Sequence, residues 1–469
     1  MKLRQLLVLA LVAHLLVVLS IYVVGRLGVF PGVSNSGIVT FASDSRVYQL
    51  QTGELEATLR QEGIVTWLQT PAPPHVKLYS LSSAVLSPLF GQTMLSVEPL
   101  NLFYYLATLL LIFNLGRETY GEKEGLLAAG MFAVLCPSFM LHTTQLLKDP
   151  LFVVLALLLL LVSLRWLTRQ YTLAEGLVAG AIGGIAAGSL WLVKNSVWWL
   201  VLTIIVIGGI LSVAQQLHGR SAIKGNLASI ALTLLIALST SYMVTPYWLP
   251  KEYWAPYKPK AQKLSTTAVE PVAATPANEG VQTSAQPDAH AGAARGGLWS
   301  RAAGYIGHTR AQFIELYPDA GSNLDTQVRF GGAADIVRYV PRAMLIGLCA
   351  PFPGMWLRAG ENVGTAGRLL SGVETLLMCL VELLALQSLW HRRRQLSAWF
   401  LMLIALIGVL ALGMVVVNVG ALYRQRYLFW ILFVVVGAET VSRIHARLRA
   451  RGALNLRRDG RMRPSALPS

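Results

Sequence analysis

The sequence predicts an all-α polytopic membrane protein, a bundle of about 10–12 transmembrane helices with juxtamembrane helices and loops on its outer face. Three observations predict it. First, 54% of the 469 residues are hydrophobic and only 13% are charged, against about 25% charged in a soluble domain. Second, apolar runs of roughly 18 residues or more recur, the length that crosses about 30 Å of hydrocarbon. Third, basic residues gather at the ends of those runs, which is the positive-inside pattern. An outer-membrane barrel would instead show alternating segments of about ten residues. The formal charge of +16 is therefore a topology signal and does not call for nucleic acid as a partner. Cys136, Cys349 and Cys379 show no CxxC spacing, so neither a metal site nor a disulfide framework is indicated.

In chain order, Met1-Lys-Leu-Arg precedes a first apolar run that ends near Arg26 with no small-residue cleavage site, and it is expected to be a retained anchor. Spanning helices are expected at 6–25, 100–116, 124–142, 149–168, 174–193, 196–215, 226–246, 366–389, 397–417 and 423–441. The strongest basic segments are the N-terminus, 165–169, 218–224, 391–394 and 443–463. Ten spans put all of them, and both termini, on the cytoplasmic side. Two further apolar stretches, 76–92 with Pro88 and 337–357 with Pro341, Pro351 and Pro353, are expected to stay on the outer face; the alternative is two additional spans. Gly180, Gly184 and Gly188 are expected to let helices pack closely. Trp67, Trp198, Trp199, Trp248 and Trp254 read as an interfacial belt.

The resulting organisation is a transmembrane module at 1–246 with a first outer loop at 29–100, a second outer loop at 247–365, C-terminal spans at 366–441 and a basic cytoplasmic tail at 442–469. Within the second loop, 264–297 is rich in Ala, Thr, Pro, Gly and Gln and is expected to be a disordered insert without chemistry.

Asp149, in the run Gln145 to Phe152, is one of very few acids near the apolar segments. An ionisable group at membrane depth costs several kcal/mol unless it meets a partner or a water-filled cavity. Asp44 lies just past the first apolar run. Each has a structural alternative: Ser-Asp-Ser is a good helix-cap cluster, and Asp149-Pro150 suits a helix start. Arg424 and Arg426 fall on the face that the charge rule leaves poor in arginine, so they call for an anion such as a lipid phosphate. Lys194 reads similarly.

The motifs Phe41-Ala-Ser-Asp-Ser-Arg-Val-Tyr48, Pro73-Pro-His-Val-Lys-Leu-Tyr79, Asn114 to Gly121, Leu135-Cys-Pro-Ser138 and Asp149-Pro150 occur in that order. This order resembles the GT-C superfamily of membrane glycosyltransferases, and in particular the protein O-mannosyltransferases of family 39 and the lipid A aminoarabinose transferases. The resemblance covers roughly 1–215 and resumes weakly at 424–428. It departs from the family pattern in two places: Asp44 is followed by Ser45 where a second acid is frequent, and both prolines of a basic-Pro-Pro-Leu-Tyr run are replaced in His75-Val-Lys-Leu-Tyr79.

The resemblance implies a GT-C-like fold and transfer of a sugar from a polyprenyl-phosphate donor to a lipid, glycan or protein acceptor on the extracytoplasmic face of a bacterial inner membrane. It implies Asp44 and Asp149 as catalytic residues, with Asp44 as base. His75, Lys77, Arg424 and Arg426 are the expected donor-phosphate ligands. Tyr48, Lys148, Lys194, Arg338 and Arg342 are further substrate-binding candidates. No cofactor is implied outright. A divalent metal stays open, although a single first-loop acid speaks against a dedicated site, which takes several oxygen ligands. A polysaccharide polymerase or ligase acting on diphosphate-linked glycans is the nearest alternative. A transporter or flippase for a lipid-linked substrate would show internal repeats, and none is evident.

Overall fold

The computed structural model describes residues 2–28, 34–35, 38–39, 42–219, 224–243, 298–316, 321–357 and 364–460. The insert at 264–297, Trp248 and Trp254 lie outside the described residues. The described chain is built from α1 (Leu3–Arg26), β1 (Ser34–Asn35), β2 (Ile38–Val39), α2 (Ser43–Gln61), α3 (Gly63–Gln69), α4 (Pro74–Phe90), α5 (Glu98–Tyr120), α6 (Glu122–Leu135), α7 (Pro137–His142), α8 (Asp149–Thr168), α9 (Leu173–Val193), α10 (Trp198–Gly219), α11 (Lys224–Met243), α12 (Leu298–Leu316), α13 (Ala333–Cys349), α14 (Pro353–Trp356), α15 (Gly364–His391), α16 (Leu396–Val415) and α17 (Val419–Gly460). The two strands form a short antiparallel hairpin.

Among the described residues, nine helices are long and apolar enough to cross a membrane. They correspond to nine of the ten expected spans. The exception is the third, 124–142, which is not continuous. Pro137 cannot donate to the helix and its ring clashes with the carbonyl four residues back, so Cys136 turns out of helical geometry at φ −123°, ψ 59°. The 14 residues of α6 reach only about 21 Å. The break redirects α7, and with it Ser138 and His142, into the bundle. The two stretches expected not to span contain the helices α4 and α13, 17 residues each, which carry Pro88 and Pro341 inside them.

The helix ends sort into two sets. At one end Glu118 pairs with Arg169 at 2.7 Å and Arg165 at 3.5 Å, Arg392 pairs with Glu439 at 3.1 Å, and Ser442 donates to Glu124 at 2.8 Å. These contacts gather the ends of α5, α6, α8 and α15 around the middle of α17, beside the basic segments at 165–169, 391–394 and 443–463. The N-termini of α2, α8 and α17 and the C-terminus of α9 meet at the opposite end. α17 is the central helix: Trp430, Ile431, Leu432, Val434, Val435 and Val436 are wholly buried.

The glycines of α9 pack as expected. A Cβ on Gly176 would lie 2.0 Å from the Gly225 carbonyl oxygen, and one on Gly180 would lie 2.8 Å from that of Ser229. Only a residue without a side chain lets α9 and α11 approach this closely. Trp67 departs from the expected belt. It is buried, and its indole N–H donates to Ser80 Oγ at 3.0 Å.

Candidate functional site

The cluster at the end away from the basic loops is built from four helix termini. Asp44 is in the first turn of α2, whose start is held by a hydrogen bond from the Ala42 N–H to Gln145 Oε1 at 3.1 Å. Gln145 belongs to the buried connection that leads into α8. Asp149 opens α8 with Pro150 behind it, Lys194 follows the last residue of α9, and Arg424 lies in the second turn of α17. Neither acid is the N-cap of its helix: those positions are Ala42 and Lys148. Both turn instead toward cations. Arg424 Nη2 donates to Asp44 Oδ2 at 2.9 Å, Arg424 Nη1 lies 3.6 Å from Asp149 Oδ2, and Lys194 Nζ lies 3.6 Å from Asp149 Oδ1. One guanidinium therefore bridges two carboxylates separated by more than a hundred residues. The Lys194 ammonium also stands 5.0 Å over the Phe152 ring.

Burial lowers the Lys194 pKa to about 8, against the pull of Asp149. Burial raises that of the Tyr48 phenol, against the effect of Lys148. Burial also opposes the Lys148 charge, yet Tyr48 and Asp149 hold its pKa above the ordinary lysine value. Tyr48, Lys148 and Lys194 thus join Asp44, Asp149 and Arg424 in one electrostatic unit.

The other expected phosphate ligands are placed differently. His75 is buried edge-on to Tyr48, with ring centroids 4.6 Å apart, and burial followed by the nearby Lys148 pushes its pKa down to about 3. It is a neutral ring here and supplies no positive charge. Lys77 points to the other side of α4, donating to the Leu68 carbonyl at 2.8 Å and lying over Trp67.

Arg426 is wholly buried. It donates to the carbonyls of Gly347 at 3.2 Å and Leu348 at 2.9 Å and to Thr375 Oγ1 at 3.1 Å, with its guanidinium 4.1 Å from the centre of a Trp430 ring. It ties α13 and α15 to α17 and is not a phosphate ligand. Two residues along a helix differ by about 200°, so Arg424 and Arg426, like His75 and Lys77, cannot face one ligand. Arg342 is neutralised by Asp325 at 3.0 Å, and Arg338 is exposed. No contact among the described residues links either to the Arg424 cluster.

Sequence reasoning missed two buried polar assemblies. His14 Nδ1 lies 2.9 Å from Glu98 Oε1, and its Nε2 lies 3.0 Å from Thr143 Oγ1. Glu374 is 1% exposed; it accepts from the Ser138 N–H at 2.7 Å and bonds the hydroxyls of Ser138 and Tyr423. From Ser138 the second assembly continues through Tyr427 to His142. The signal was present, since Glu374 is an acid inside an apolar segment. Its partners come from α7 and α17, which no local pattern relates to it. Among the described residues no group of three or more His, Cys, Asp or Glu is placed to hold a metal ion.

No family model and no curated protein matches the chain. Among solved structures the chain is similar to the archaeal oligosaccharyltransferase AglB from Archaeoglobus fulgidus, in complex with an inhibitory peptide and a dolichol-phosphate, with 12% identity and a TM-score of 0.45 over 100% of this chain and 52% of that one. This chain thus spans about half the length of that protein. It is also similar to ArnT from Cupriavidus metallidurans bound to undecaprenyl phosphate, with 13% identity and a TM-score of 0.35 over 97% of this chain and 81% of that one. The apo state of the same ArnT gives 13% identity and a TM-score of 0.35 over 92% and 77%.

Proposed function

We propose that the chain is a GT-C-type membrane glycosyltransferase. It transfers a sugar from a polyprenyl-phosphate carrier to a lipid, glycan or protein acceptor at the outer face of a bacterial inner membrane. The observation that carries this reading is the Arg424 bridge: a guanidinium held between Asp44 at 2.9 Å and Asp149 at 3.6 Å, with Lys194 beside it. A monoanionic phosphodiester matches this cluster. Arg424 offers it two parallel N–H donors, and Lys194 and Lys148 add charge against which the leaving phosphate can develop its own. The basic loops at the opposite end support an extracytoplasmic position for this cluster by the charge rule. The catalytic module is then 1–246 completed by α17, with 247–365 as the second outer region.

In the reaction the acceptor oxygen forms a bond to the anomeric carbon on the face opposite the phosphate. The carbon–oxygen bond to phosphate breaks with its electron pair going to the leaving polyprenyl phosphate, and the configuration inverts. The acceptor proton goes to Asp44, which acts as base while the donor phosphate takes its place on Arg424. Asp149 remains paired to Lys194 and keeps that ammonium in place.

The test is purified protein incubated with a polyprenyl-monophosphate sugar. Consumption of the donor with release of polyprenyl phosphate supports the reading. Consumption only of a diphosphate-linked glycan would assign a polymerase or ligase, and movement of lipid-linked substrate without bond cleavage would assign a flippase.

A further inference from the structure

The second buried assembly is directional. The carbonyl oxygen of Ser138 lies 2.7 Å from His142 Nδ1. A carbonyl only accepts, so Nδ1 carries the proton and the neutral ring keeps its lone pair on Nε2. Tyr427 OH lies 3.0 Å from the same Nδ1 and 2.7 Å from Ser138 Oγ, and Ser138 Oγ–H in turn bonds Glu374. With Glu374 ionised, the donors run one way: His142 Nδ1–H to the Ser138 carbonyl and the Tyr427 oxygen, Tyr427 O–H to Ser138 Oγ, and Ser138 O–H to the Glu374 carboxylate. Glu374 also takes the Ser138 N–H at 2.7 Å and the Tyr423 hydroxyl. A ring nitrogen whose partner is anchored this way has its tautomer and orientation set from behind, as in metal-bound and catalytic histidines.

His142 is half-buried, and its Nε2 makes no hydrogen bond among the described residues. The charges acting on the ring are those of Arg424 from α17 and Asp149 from α8, the same groups that form the candidate site. Tyr427 from α17 and, through Ser138, Glu374 from α15 face it from the other side. The break at Pro137 is what brings this ring inward.

The geometry points to His142 as a further substrate-positioning residue of this site, its Nε2 accepting a hydrogen bond from a hydroxyl of the sugar or of the acceptor, with Glu374, Ser138 and Tyr427 setting its tautomer. The assignment of the hydroxyl to these substrates rests on the transferase reading; the tautomer does not.

The experiment has two arms. Full-length protein with 15N-labelled histidine is examined by NMR without substrate, and the His142 signals are identified by their loss in His142→Gln. A protonated Nδ1 and a bare Nε2 are expected; a ring protonated at Nε2 overturns the proposal, whether or not transfer is ever observed. In the second arm, His142→Ala raises the KM of one substrate by roughly three- to ten-fold, the value of one hydrogen bond. Thermal stability should hold, and His142→Gln, which retains an acceptor, should recover part of the loss. A shift in the donor KM assigns the sugar hydroxyl, and a shift in the acceptor KM assigns the acceptor. Equal losses in Ala and Gln together with a lowered melting temperature would make His142 a packing residue and refute the positioning role.

Discussion

Arg424 is the residue whose removal distinguishes the transferase reading most sharply. Its side chain is 14% exposed and contacts Asp44 at 2.9 Å and Asp149 at 3.6 Å. Losing one partner of a fully buried ion pair costs about 3–5 kcal/mol. Asp149 keeps Lys194 at 3.6 Å, however, and the Asp44 side chain is 31% exposed and can be rehydrated. The stability loss in Arg424→Ala should therefore be only about 1–2 kcal/mol. The donor loses more. A charge-assisted contact to phosphate contributes about 1.5–3 kcal/mol, so donor affinity should fall roughly 10- to 150-fold. Arg424→Lys keeps the charge but loses the planar fork, and should sit between Ala and wild type. Donor KM, acceptor KM and thermal unfolding of detergent-purified variants separate these effects. An Arg424→Ala protein with wild-type donor KM would refute the phosphate assignment. A protein that simply failed to fold would be resolved by Arg424→Lys, whose fold should persist while its donor KM rises.

Three further outcomes follow from the same geometry. Asp44→Asn keeps size and most hydrogen bonding, so it should lower turnover by about 10²–10⁴-fold with the fold intact; normal turnover would leave Asp44 as a structural partner of Arg424 only. Lys194 has its pKa lowered to about 8 in the folded protein, so it is charged below that pH and neutral above it. Donor KM should therefore rise as pH passes upward through this value, and a Lys194→Met profile retaining the same inflexion would assign it to another group. Gly180→Leu places atoms where even a Cβ lies 2.8 Å from the Ser229 carbonyl oxygen; it should cost about 1–3 kcal/mol or more, read as a lowered melting temperature, and an unchanged value would show that α9 and α11 can separate freely.

Much of the architecture was legible because hydropathy is local and additive. A run of apolar residues long enough to cross hydrocarbon must hydrogen-bond its own backbone, and helix is the economical way to do so. Nine of the expected spans, the close α9–α11 packing and the grouping of basic ends all follow from that. The third span did not stay whole, and Pro137 carried the warning in the sequence itself. Asp44, Asp149 and Arg424 were recognisable as charges that need partners, since isolated charges near hydrocarbon are costly.

Which partner each charge finds was decided by tertiary structure. Asp44 and Arg424 are 380 residues apart, and no periodicity relates them. Helix rotation separated residues that sequence proximity had grouped: Arg424 reaches the acids while Arg426 clamps α13 and α15, and His75 turns into the protein while Lys77 turns to Trp67. The relay from Glu374 to His142 needed three helices and the break at Cys136–Pro137 to come together. Charge and hydropathy are properties of single residues and can be read along a chain. Hydrogen-bond direction, helix rotation and the meeting of distant termini are properties of packed pairs, and they exist only once the bundle has closed.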